Sequence, residues 1–241
     1  MNVFNQVLLF ASIPASTMVI GGIIATLKKP GGNVRSLVLH FAAGVVFSVV
    51  AVEILPDIIK NHRPLLTISG FIPGVLVMLA VRKLTEGKDK TAGGTASTIP
   101  WPLITGVGLD ILIDGVLLGI GFAAGNKEGI LLAVALSLEL LSLGMATATE
   151  LANNHIPVLK AITVVIGLAL VFFTSSVLGG TILQNASHNV MDTVLSFGLA
   201  ALLFLVIEEL LKEAHEEHET VWHTSAFFGG FLAFVILGMY V

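Results

Sequence analysis

Asp110 and Asp114 stand four residues apart in the middle of an otherwise apolar stretch, Leu109-Asp110-Ile-Leu-Ile-Asp114-Gly115. On a helix that spacing puts both carboxylates on one face, one turn apart. Leu138-Glu139-Leu-Leu-Ser142-Leu143-Gly144 repeats the pattern at an offset of 29 residues (139 − 110). Acids embedded in apolar helices are costly and ordinarily line an ion path or a water-filled cavity. Three of them meeting in low dielectric repel one another and need a compensating charge, a proton or a cation. A divalent cation would supply it, with Asp110, Asp114 and Glu139 as ligands and the Ser142 hydroxyl as a neutral oxygen beside them. Gly115 and Gly144 follow the acid positions and let neighbouring backbones approach.

A second set of acids lies farther out along the chain. Phe41 to Asp57, with its Glu53-Ile-Leu-Pro-Asp57 ending, aligns with Phe197 to Glu213 at a constant offset of 156 (209 − 53 and 213 − 57). Glu53 therefore falls on Glu209 and Asp57 on Glu213. One pair sits toward the outer end of its helix and the other toward the inner end, so with the central acids they sketch a transport path. Glu208 is expected to face about 100° away from Glu209 and to serve elsewhere. Just past Glu213, His215 and His218 share a helical face and are candidates to capture a metal leaving that path. His40 reads as an ordinary interfacial histidine, and His62, His155, His188 and His223 fall in loops or at helix ends without an expected ligand role.

The elements that must position these residues are membrane helices. Of 241 residues 55% are hydrophobic and 12% charged, with a mean hydropathy of +0.97, far more apolar surface than a soluble domain needs. Charges, Gly/Pro clusters and Asn-rich turns divide the chain into spans at roughly 4–27, 36–59, 64–83, 100–124, 128–152, 157–182, 190–213 and 221–241. Residues 84–99 read as a flexible cytoplasmic loop, and residues 1–241 as a single polytopic membrane domain. Without a basic leader, 4–27 is expected to be a first span and not a cleaved signal peptide. The chain has no cysteine, which excludes disulfides, thiolate metal sites and cysteine nucleophiles.

Lysine and arginine orient the bundle. Lys28, Lys29, Arg35, Arg82, Lys83, Lys88, Lys90, Lys160 and Lys212 belong to one side and only Lys60, Arg63 and Lys127 to the other. Nine against three places the first side in the cytoplasm and both termini outside it, in a plasma (inner) membrane. The scattered basic residues are explained by topology, and no nucleic-acid partner is expected. Spans bearing matched acids then run in opposite directions. The expected fold is an all-α integral membrane protein of eight spans with inverted repeats, spans 1–3 against 6–8 and span 4 against span 5.

These residues resemble the ZIP (ZRT/IRT-like) family of divalent metal transporters. Three segments carry the likeness: His40-Phe-Ala-Ala-Gly44 through Glu53-Ile-Leu-Pro-Asp57, Asp114-Gly115-Val-Leu-Leu-Gly119, and Glu209-Leu-Leu-Lys-Glu213-Ala-His215-Glu216. The resemblance implies eight spans with both ends outward, metal import toward the cytoplasm, and often a homodimer. This chain departs from the family pattern at its centre. Asp110 stands where the family carries histidine, Glu139 and Leu143 replace the histidine and glutamate of the fifth-helix motif, and Leu170-Val171 replaces a Glu-Pro pair. Carboxylate in place of imidazole hardens a site, away from Zn²⁺ and toward Mn²⁺, Mg²⁺, Ca²⁺ or Fe²⁺.

The expectation is thus a carrier in the lipid bilayer that moves a divalent cation by alternating access, with the metal as substrate and no prosthetic group. Mn²⁺, Fe²⁺, Zn²⁺, Mg²⁺ and Ca²⁺ all stay open as cargo. No enzymatic activity is expected: an intramembrane aspartyl protease needs two aspartates on different helices, and Asp110 and Asp114 share one. A membrane ion sensor without flux, and a proton-coupled carrier of a non-metal solute, remain the alternatives.

Overall fold

The computed structural model describes residues 2–27, 31–86, 100–215 and 220–240. Among these there are helices and turns and no strand. Eight helices are long and apolar enough to cross a membrane: α1 Val3–Leu27, α2 Gly32–Asn61, α3 Pro64–Glu86, α4 Trp101–Ala124, α5 Asn126–Asn153, α6 Val158–Leu183, α7 His188–Ala214 and α8 Val221–Gly238. The protein is therefore a multi-pass membrane protein. Helix is what hydrocarbon demands, because each backbone N–H and C=O must find its partner within its own segment.

The boundaries differ from the hydropathy reading mainly where charges were taken as stops. Helix α2 begins upstream of Arg35, and α5 includes Lys127 and Glu128 in its first turn. Long charged side chains at helix ends reach interfacial water without unwinding the backbone. Helix α3 continues through Glu86, three residues into the stretch 84–99 expected as a loop; residues 87–99 lie outside the described part of the chain. The short turns behave conventionally. His62 and His155 take left-handed backbone (φ 52° and 57°) after α2 and α5, and a lone extended Gly125 separates α4 from α5.

Helices α1, α4, α5 and α6 pack on one another, with α1 against α5 and α6, and α4 against α5 and α6. Helix α2 packs on α8 and on the end of α7, and α7 packs on α3. The two groups meet mainly where α2 touches α5 and where α4 touches α3 and α7. Glycines set the close crossings. Gly144 of α5 abuts the Met18 backbone of α1, and Gly115 of α4 abuts Phe172 and Ser175 of α6. A side chain at either position would push α5 or α4 off its neighbour, and with it the acid a few residues earlier. Met18, Ile111, Phe122, Leu136 and Phe172 fill the core around these crossings.

Two stretches leave the α-helical repeat. Val50–Ile54 in α2 and Leu205–Leu210 in α7 are π-helical. Shifting the first by 156 residues gives 206–210, inside the second, so Glu53 and Glu209 sit in matching wide turns. Such turns are rare and concentrate at functional sites.

Candidate cation site

Helices α4 and α5 bring Asp110, Asp114 and Glu139 together, with one carboxylate oxygen of each lying within 4.8 Å of the others. Asp114 and Glu139 are almost wholly shielded, with 1% and 3% of their surface exposed, and Asp110 is half-buried. Ser142, 1% exposed, lies one turn beyond Glu139 on α5. Asp110 Oδ1, Asp114 Oδ2, Glu139 Oε2 and Ser142 Oγ are all buried and make no hydrogen bond within the protein. Some buried hydroxyls bond back to their own helix, as Ser137 does to Ala133 and Ser176 to Phe172, whereas Ser142, like Ser48 and Thr147, has no hydrogen-bond partner within the protein.

Helix α7 adds a fourth acid. Glu209 lies beside Asp110, which puts it in the central cluster and not at a separate inner station. Glu208 pairs with Arg82 while Glu209 faces Asp110, and both acids line one cavity with Asp110. That cavity has a volume of about 330 Å³ and also takes in Arg82 of α3 and Lys212 and Glu213 of α7. At about 30 Å³ per water it has room for roughly ten waters, enough for a cation to arrive hydrated.

The remaining expected path residues all carry a basic partner. Glu53 faces Lys127 at 3.4 Å, Asp57 faces the exposed Lys60 at 3.3 Å, and Glu213 pairs with Arg35. Glu208 pairs with Arg82. Among the described residues Asp110, Asp114, Glu139 and Glu209 have no ion-pair partner.

At the Arg35 end of the bundle the rings of His215 and His223 lie 5.2 and 5.4 Å from that of His40. His40 Nδ1 donates to the Ser36 carbonyl at 2.8 Å, and His223 Nδ1 caps α8 by accepting from the Thr220 amide at 3.0 Å. His218 lies outside the described residues. His40 and His223 were unreadable as neighbours in sequence, because α2 and α8 meet only through tertiary packing. Glu209 was recognisable as a matched acid. Its contact with Asp110 is tertiary and lies in a π turn, which no hydropathy pattern signals.

Arg63 on the opposite end ties α3 to α7 through Asn189 and Asp192, with Asn61 also donating to Asp192 at 2.7 Å. No protein-family profile and no curated protein matches the chain.

Proposed function

We propose that the protein is a divalent-cation transporter whose cargo is held by Asp110, Asp114 and Glu139, with Ser142 as a neutral contributor. The single observation that carries this reading is the group of buried carboxylate oxygens without protein partners, gathered from two adjacent helices. Buried charges without a partner need a cation or protons. An all-oxygen donor set favours hard cations, Mn²⁺, Mg²⁺, Ca²⁺ or Fe²⁺, over Zn²⁺. The resemblance to ZIP transporters in α2, α4 and α7 supports the same class, and with it import and a homodimer.

The arrangement suits alternating access. Three acids belong to the α1/α4/α5/α6 group, and Glu209 reaches them from the other group. Motion of one group against the other would part Asp110 from Glu209 and change which side the cargo sees. The cavity reaches Asp110 and Glu209 from the Arg82 and Lys212 end, which the lysine and arginine distribution assigns to the cytoplasm of a plasma (inner) membrane. On the other side the Glu53–Lys127 pair lies toward the mouth of α2.

Inverted repeats are supported by contacts and not by sequence alone. A methyl on Gly230 of α8 would strike the Phe41 carbonyl of α2, and one on Gly74 of α3 would lie 2.9 Å from the Phe197 carbonyl of α7. Adding 156 to 41 gives 197, and adding it to 74 gives 230, so the two contacts are one contact repeated. Likewise α1 packs on α5 as α6 packs on α4.

Uptake into proteoliposomes across Mn²⁺, Fe²⁺, Zn²⁺, Cd²⁺, Co²⁺, Mg²⁺ and Ca²⁺, with Asp114→Asn alongside, tests the proposal. Flux of a hard cation that vanishes in folded Asp114→Asn is expected. Binding without flux would identify a sensor. Neither binding nor flux of any metal would turn the reading toward a non-metal solute.

A further inference from the structure

The cavity that leads to the acids also holds two basic side chains, an unusual thing to place on a cation path. Arg82 sits on Glu208, which is next in sequence to Glu209, and Arg82, Glu208, Glu209 and Asp110 all line the same space. The pair is only partly buried, each side chain about a third exposed (34% and 34%), the class of ion pair that contributes little net stability. Glu209 and Asp110, whose Oδ1 makes no hydrogen bond within the protein, line the same cavity. A carrier faces a recurring problem here. Once the cargo has left, the acids must return through low dielectric, where uncompensated charge is expensive.

We propose that Arg82 is a tethered surrogate for the cargo: its guanidinium rests on Glu208 while the cation is bound and swings to Glu209 and Asp110 after release, offsetting part of the site's negative charge for its return. The inference rests on the transporter reading above. Arginine fits the part because it stays protonated and its planar fork grips carboxylates two donors at a time. Glu208 is the resting place and Glu209 the working one, and the wide turn at Leu205–Leu210 presents both to one cavity. Lys212 lines the same cavity four residues past Glu208, but its ammonium is a compact, strongly hydrated point charge that lacks the planar fork. Glu213 already pairs with Arg35 at the rim.

A surrogate cation makes a prediction that a structural ion pair does not. Net uptake needs the empty carrier to return, whereas exchange of internal for external cation does not. The full-length protein is reconstituted, and Mn²⁺, or the best-carried cation of the panel above, is followed in vesicles that are empty or preloaded with the same unlabelled ion. For Arg82→Gln, exchange stays within about twofold of wild type. Its net uptake falls at least about tenfold. Arg82→Lys, which keeps the charge and loses the fork, recovers part of the net uptake.

Glu208→Gln removes the resting place, so the guanidinium competes with cargo. Net uptake survives, and the half-saturating cation concentration on the cavity side rises at least about threefold. Wild-type net uptake in Arg82→Gln overturns the proposal. So does parallel loss of exchange and net uptake in Arg82→Gln and Glu208→Gln, which is the signature of a structural pair. Loss of net uptake in Lys212→Gln with Arg82→Gln unaffected would move the role to lysine and also overturn it. If Arg82→Gln fails to fold, the Glu208→Gln saturation shift decides alone, and an unchanged value sinks the idea. Absence of flux in the wild type is a separate failure, that of the transporter reading itself.

Discussion

Gly229 and Gly230 are neighbours in α8, and a single methyl should separate them sharply. A Cβ built at 229 meets nothing within 4 Å, whereas one at 230 comes closer to the Phe41 carbonyl oxygen than the 3.0 Å that real Cβ atoms essentially never breach. Both are mid-helix glycines, so the intrinsic gain of alanine over glycine, roughly 0.5–1 kcal/mol, applies to each and cancels in the comparison. What remains is the cost of forcing α8 off α2, for which overpacking typically costs about 1–3 kcal/mol. For a chain of this size that corresponds to a difference in melting midpoint of roughly 2–12 °C, Gly229→Ala being the more stable. The repeat mate supplies an internal scale. A methyl at Gly74 stands 2.8 Å from the Ala200 Cβ and needs about 0.6 Å of relief (3.4 − 2.8) to reach ordinary contact, so Gly74→Ala should fall between the other two. Loss of helix signal by circular dichroism on heating in detergent measures all three. Equal midpoints for Gly229→Ala and Gly230→Ala would refute the close crossing and the inference that α2 and α8 move as one body.

Cation binding should raise the melting midpoint of the wild type and leave Asp114→Asn unmoved. At a hundredfold excess over the dissociation constant the gain is about 2.7 kcal/mol, or roughly 5–10 °C, read in the same thermal assay with added Mn²⁺. Asp57→Asn should change uptake by less than about twofold, since the carboxylate is 42% exposed and pairs only with an exposed lysine; a tenfold loss would show that it handles cargo. Arg63→Ala should lower the melting midpoint by only a few degrees, because its link to Asp192 is a partly exposed pair worth up to about 1 kcal/mol, while leaving initial uptake rates unchanged.

The eight membrane helices and the meeting of Asp110, Asp114 and Glu139 could be read in advance because both depend on local pattern. Apolar length marks a span, and equal distance from the ends of adjacent antiparallel spans puts Glu139 level with Asp110 and Asp114. The ends were harder. Arg35 and Lys127 sit inside helices but outside the expected spans, because hydropathy counts a charge as a stop while the backbone responds to unmet hydrogen bonds. What stayed hidden was tertiary. Arg82 and Glu208 are 126 residues apart in sequence, and no spacing rule joins them. Glu209 meets Asp110 across two helices, 99 residues apart in sequence (209 − 110), from a π turn that hydropathy does not mark. The offset of 156 was visible in the acids, but its mirror in the glycine crossings at 74 and 230 needed coordinates.

The helices are very unequal in length. Helix α2 has 30 residues and α8 beside it 18, about 45 and 27 Å at roughly 1.5 Å per residue. A hydrocarbon core is about 30 Å thick, so α2 must lean or overhang while α8 barely spans. With Trp222, Phe228 and Leu232 exposed along it, an 18-residue α8 would have to thin the surrounding lipid along that edge to match it. Acyl-chain length would then be a mechanical input: a thicker bilayer would strain the short helix and, through its glycine-close contact, load α2 and the wide turn that holds Glu53.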